Sequence, residues 1–143
     1  MASIRLETIV NLGPSQAWSA LREVKYAHLL FAGVLIDGRV EGNVRTVTFA
    51  NGMTVRERII DISEEHRRVA YSVVEGTPMT HHNASMQIVP DGEGRCRFIW
   101  IADFLPDEIG GQILPLMEQG ADALKRNLES GAYAEATART GCA

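Results

Sequence analysis

The 143-residue sequence predicts an α+β fold: a curved antiparallel sheet of seven strands wrapped around one long C-terminal helix, with two short helices after the first strand. Three observations carry this. Seven short segments, most of them rich in Val, Ile, Thr and aromatic residues, alternate at the period of a strand. Turn signals separate the last six, which makes them a meander. From Asp107 to about Ser130 the apolar residues change to helical spacing.

Residues 4–12 alternate as a strand, and Gly13-Pro14-Ser15 stops it and starts a helix, Pro14 suiting a first turn. That helix, about 14–22, carries Ala17, Trp18 and Leu21, and a second short helix runs through 24–30. Strands follow at 33–37, 43–50, 53–62, 67–75, 83–90 and 95–104. The breaks fall at Asp37-Gly38, Asn51-Gly52, Ser63-Glu64-Glu65, Gly76-Thr77-Pro78 and Asp91-Gly92-Glu93-Gly94. Pro106 ends the sheet. In the long helix Ile109, Ile113, Leu116, Met117, Leu124 and Leu128 fall three, four and seven apart, forming one apolar stripe. Residues after about 131 are Ala/Thr-rich without periodicity and read as a fraying helix end or tail.

A sheet with one apolar face must cover it, and only the final helix is long enough to do so. A twisted sheet curled around a helix that carries Gly110, Gly111, Gly120 and Ala121 leaves room between the two. An internal pocket is therefore expected.

With 45% hydrophobic and 22% charged residues, the chain has the composition of one domain spanning residues 1–143. It is large enough to need neither disulfides nor a structural metal. The net charge of −4, without a basic run, argues against a nucleic-acid partner. No run of eighteen apolar residues occurs, and the amino terminus lacks an apolar leader, so the expectation is a cytoplasmic protein without membrane insertion. Cys96 on a strand and Cys142 in the last residues make an unpromising disulfide, which fits a reducing compartment.

Glu57 shares a strand face with Val55 and Ile59 while Arg56 and Arg58 take the other, so its carboxylate points inward. Two readings are open: it pairs with an arginine such as Arg45 on the neighbouring strand, or it binds a ligand hydroxyl or an ordered water. Periodicity does not decide whether Arg45 faces Glu57 or solvent. His82 is in phase with Ala84, Met86 and Ile88, which points it to the core side as a pocket-lining or structural histidine, the remaining alternative being an exposed loop residue. Its neighbour His81 faces solvent. Tyr71, in phase with Val69 and Val73, and Trp100, in phase with Phe98, Ala102 and Phe104, also face inward, where their polar tips need partners. Met86, Phe31 just after the second short helix and Met117 on the long helix complete the expected ligand-binding set. His28 is expected to cap or pack the second short helix. Adjacent strand histidines cannot share one ion, and no Cys or carboxylate cluster stands at ligand spacing, so neither a metal nor another cofactor is called for. No nucleophile elbow, phosphate loop or activated cysteine is present.

Several stretches resemble one superfamily: Pro14-x-x-x-Trp18, Gly42-Asn43-Val44-Arg45, Gly52 to Ile59, Arg67 to Val73, Gly76-Thr77-Pro78, Ala84-x-Met86-x-Ile88-x-Pro90, and Trp100 followed by Phe104-x-Pro106. Taken in this order and spacing, they are similar to the polyketide cyclase/dehydrase and lipid-transport proteins of the START-like, SRPBCC or Bet v 1-like type. The resemblance covers about residues 4–130 and implies the helix-grip fold. Its members include lipid and sterol carriers, aromatase/cyclases, plant hormone receptors and co-chaperone modules. The segment from Glu57 to Ser72 is similar to the plant abscisic-acid receptors. However, the lysine that holds the hormone carboxylate there would fall at or near Phe31, and the gate and latch positions, Asn51-Gly52-Met53 and Pro78-Met79-Thr80, do not match. Architecture without that ligand is implied.

Three functions follow. The first is a carrier for a hydrophobic small molecule (a lipid, polyketide or aromatic metabolite) held in an internal cavity by a monomer or homodimer. The second is a cyclase/dehydrase-type enzyme in which Glu57 and His82 move protons as the catalytic pair. The third is a co-chaperone-like module that binds protein through its outer surface.

Overall fold

A computed structural model describes residues 2–140. Strand β1 (Ser3–Val10) leads into helix α1 (Pro14–Leu21) and the single-turn helix α2 (Ala27–Leu30). The strands β2 (Leu35–Glu41), β3 (Val44–Phe49), β4 (Thr54–Ser63), β5 (Arg68–Glu75), β6 (His81–Pro90) and β7 (Cys96–Leu105) follow as a meander, and helices α3 (Gly110–Glu129) and α4 (Ala132–Thr140) end the described chain. The seven strands form one sheet in the order β1-β7-β6-β5-β4-β3-β2, every pair antiparallel. This is the α+β arrangement expected, with the long helix against the sheet.

Strand alternation sends Val47, Val55, Val69, Met86, Ile88, Phe98 and Phe104 to the inner face, all buried, and α3 presents Met117, Ala121, Leu124 and Leu128 to them. Polar side chains tie the helices down. Asn127 Nδ2 of α3 donates to the carbonyls of Leu30 (2.9 Å) and Ala32 (3.1 Å), and Lys125 Nζ donates to the carbonyl of Ile9 at 2.6 Å. Glu64 in the β4–β5 turn accepts from Trp18 Nε1 (2.6 Å) and Arg22 Nε (2.5 Å), which fixes α1 and its end to the sheet.

Most boundaries shift by a few residues, and two readings of the sequence are overturned outright. Asp37-Gly38 is not a turn but lies inside β2, and the hairpin to β3 turns at Gly42 instead. The cause is a neighbour from another element: His28 of α2 packs across Gly38, where a Cβ would stand 2.8 Å from His28 Nδ1. A glycine within a strand here marks close approach, not chain reversal. Residues 132–140 are also not a tail. They form α4, set off from α3 by Gly131 (φ +82°), and Tyr133 packs against the core. Cys142 lies outside the described residues.

The entry of the chain from β5 into the β5–β6 loop depends on Gly76. Its φ is +101°, and a Cβ there would sit 2.3 Å from the Thr54 carbonyl oxygen. Gly42 also has positive φ (+63°), but open space surrounds it. Gly76→Ala is therefore expected to lower stability by more than about 2 kcal/mol, and Gly42→Ala by about 1 kcal/mol. Urea unfolding of the two variants side by side checks the difference; equal losses would mean that the contact with Thr54 is relieved at no cost.

Candidate functional site

The concave sheet face and α3 do not close completely. Between them lies a cavity of about 140 Å³. Val47, Val55 and Ala102 line it from the sheet, and Ile113 and Leu116 from the first half of α3. Met53, Met79, Met86 and Met117 line it too, so all the described methionines stand on one cavity. Their unbranched thioethers make the lining deformable and suit it to aromatic surfaces.

One part of the wall is polar. Arg45 and Glu57 are directly opposite each other across β3 and β4, with Arg45 Nε donating to Glu57 Oε1 at 2.8 Å and side chains only 8% and 12% exposed. Arg45 Nη1 also reaches the Val24 carbonyl at 3.3 Å, and its guanidinium lies 5.5 Å from the centre of the Tyr71 ring. Trp100 Nε1 donates to the Tyr71 hydroxyl at 3.1 Å. Burial, reinforced by the Glu57 charge, pushes the Tyr71 phenol well above its ordinary value, so it stays protonated. Trp100 in turn packs on Phe31 and Phe98, with ring centres 5.9 Å apart in both pairs.

His82 has a structural partner as well as a place on the cavity. The β5–β6 pairing runs from Arg68↔Gln87 to Tyr71↔Ala84 and stops, leaving the Val73 N–H without a strand partner. His82 Nδ1 accepts from it at 3.0 Å. Burial, helped by His81 and opposed by Asp103, pushes the imidazole down to about 4, so it is neutral near pH 7. With Nδ1 accepting, the ring proton sits on Nε2, and His82 can offer a ligand only a donor.

The residues singled out from the sequence, Glu57, Tyr71, His82, Met86, Trp100, Phe31 and Met117, thus all line the one cavity. Arg45 turns inward and pairs with Glu57. His81 is exposed, and Cys96 is buried with its thiol pushed up by burial. Met53, Met79 and Thr77 were not foreseen. They come from the β3–β4 turn and the β5–β6 loop, where no periodicity assigns a face. Among the described residues there is no group of three or more His, Cys, Asp or Glu that could hold a metal ion, and no helix long and apolar enough to cross a membrane.

The family model for polyketide cyclase/dehydrase and lipid transport matches residues 1–132. The chain belongs to this family. Solved structures agree on the fold of this family member. The protein XoxI from Bacillus cereus superposes with a TM-score of 0.80 at 19% identity, over 90% of this chain and 96% of that one. A protein from Bacillus thuringiensis gives 0.78 at 18% identity, over 89% and 98%. Truncated norcoclaurine synthase from Thalictrum flavum gives 0.69 at 21% identity, over 87% and 91%. No curated protein sequence matches the chain.

His82 yields a pH prediction for this family member. Its folded value of about 4 lies below the ordinary 6.5, so the unfolded chain binds the extra proton first. Its contribution to stability is complete above pH 6.5 and is lost as pH falls toward 4, at up to about 1.4 kcal/mol per pH unit. His82→Asn keeps an acceptor for the Val73 N–H and removes the titration. Thermal unfolding from pH 7 to pH 4 is expected to show a smaller loss in the variant; parallel curves would mean that His82 titrates normally.

Proposed function

We propose that the protein binds a small, largely apolar molecule in the cavity between the sheet and α3. The observation that carries this reading is the convergence of mostly apolar walls on a polar cluster, Arg45, Glu57, Tyr71 and His82. Such a site holds a hydrophobic body and orients it through one or two polar groups. Membership of a family described by polyketide cyclisation and lipid transport supports it. Size narrows the ligand: a cavity of about 150 Å³ suffices for benzene, so about 140 Å³ suits a single ring, and a lipid chain would require the methionine-lined part to move aside.

A second reading, proton transfer on a carbonyl substrate in the manner of a cyclase/dehydrase, is favoured by one observation: Glu57 keeps a carboxylate oxygen without a protein partner among the described residues. In that reading Glu57 is the base and His82 Nε2–H polarises the carbonyl. The protein-binding reading requires a filled interior, which the cavity does not favour.

Filling the cavity tests the first reading. Ala102 is buried on its sheet wall, and Ala102→Leu adds three carbons to that wall. Native mass spectrometry of the purified wild type, with toluene added where nothing co-purifies, is expected to show one small molecule retained. The variant should retain none while its thermal midpoint stays equal or rises. Equal retention by the two proteins would place binding elsewhere.

A further inference from the structure

We infer that the cavity selects a neutral, single-ring hydroxylated compound, a phenol, whose hydroxyl donates to Glu57 and accepts from Tyr71. This deepens the proposed function and rests on the cavity being the ligand site.

The hydrogen-bond inventory of the polar cluster points to this ligand. Arg45 occupies one Glu57 oxygen and leaves the other without a partner among the described residues. The Tyr71 oxygen accepts from Trp100, and its own proton is donated to no described group. With Nδ1 taking the internal bond, the His82 proton sits on Nε2, which has no acceptor among the described residues. The wall therefore offers one strong acceptor and two neutral donors. A hydroxyl is the smallest group that can satisfy an acceptor and a donor together. A ketone or ether would leave the carboxylate oxygen unsatisfied, and a buried unpaired charge-bearing acceptor is expensive.

Charge selects against acids. Arg45 and Glu57 neutralise each other, so the cluster has no net charge for an anion to balance. At the Tyr71 hydroxyl the Glu57 charge acts more strongly than that of Arg45, so a ligand carboxylate placed there would face repulsion. The rest of the cavity selects the ring. Its volume suits one six-membered aromatic, and Trp100, Phe31, Met86 and Met117 supply aromatic and thioether surface around it.

Isothermal titration of the full chain at pH 7 with phenol, toluene and benzoate separates the possibilities. Phenol is expected to bind at least about tenfold more tightly than toluene, the gain of a hydrogen bond to a charged group, and benzoate more weakly than either. In Glu57→Gln and in Tyr71→Phe the ratio of phenol to toluene affinity should fall to within about threefold, with far-UV circular dichroism showing separately that each variant is folded; an unchanged ratio in both folded variants would overturn the hydroxyl contact. Equal binding of phenol and toluene by the wild type would overturn the hydroxyl selection and leave the cavity reading standing. Tighter binding of benzoate would overturn the neutrality of the ligand. No binding of any ring would overturn both readings.

Discussion

Arg45 and Glu57 face each other inside an apolar cavity, and much of the site follows from keeping that pair together. Either charge alone, away from water, would cost several kcal/mol. As a pair 2.8 Å apart they are tolerated, with the Val24 carbonyl and the Tyr71 ring absorbing the rest of the guanidinium. Only one register allows it. Arg45 stands opposite Glu57 because the turn between β3 and β4 sets Val47 opposite Val55, and a slip of one residue would turn one partner of the pair outward. The polar end of the cavity is thus a property of strand register as much as of the residues themselves.

The opposite wall depends on a contact with little tolerance. Trp100 reaches α3 at Gly120, where a Cβ would meet the indole ring at 2.9 Å. That glycine lets the helix lie close to β7, while earlier in α3 the larger Ile113, Leu116 and Met117 face the cavity. Trp100 also donates to the Tyr71 hydroxyl, so the side chain that spaces the helix from the sheet also orients the phenol of the polar cluster.

Alternation made four of the site residues legible. Glu57, Tyr71, His82 and Trp100 each share a strand face with apolar neighbours two residues away, and in a half-buried strand that is enough to assign the inner side. Arg45 was not readable in this way, because β-branched Val44, Thr46 and Val47 surround it and neither face stands out as polar. Met53 and Met79 sit in connections, where side-chain direction follows the turn and not a period. The Asp37-Gly38 pair misled because its glycine serves a contact with His28 of another element, which no local turn signal reports. α4 was missed for a related reason: among Ala, Thr and Glu only Tyr133 is large and apolar, and one residue makes no stripe.

The divergence of β5 from β6 constrains what chemistry the cavity can perform. Past Tyr71↔Ala84 the ladder ends, and the imidazole of His82 substitutes for a strand by accepting the Val73 N–H. A histidine used in this way cannot also accept a proton through the same nitrogen without freeing a backbone donor, so it acts on a ligand as a donor alone. Proton abstraction would then fall to Glu57. Protonating Glu57 would strand the Arg45 guanidinium without its counter-charge inside the cavity, whereas accepting a hydrogen bond leaves the pair intact. The arrangement that suits these two residues to hold a hydroxyl is therefore the same one that opposes their moving its proton, and on that ground retention of a ligand fits the cavity better than its conversion.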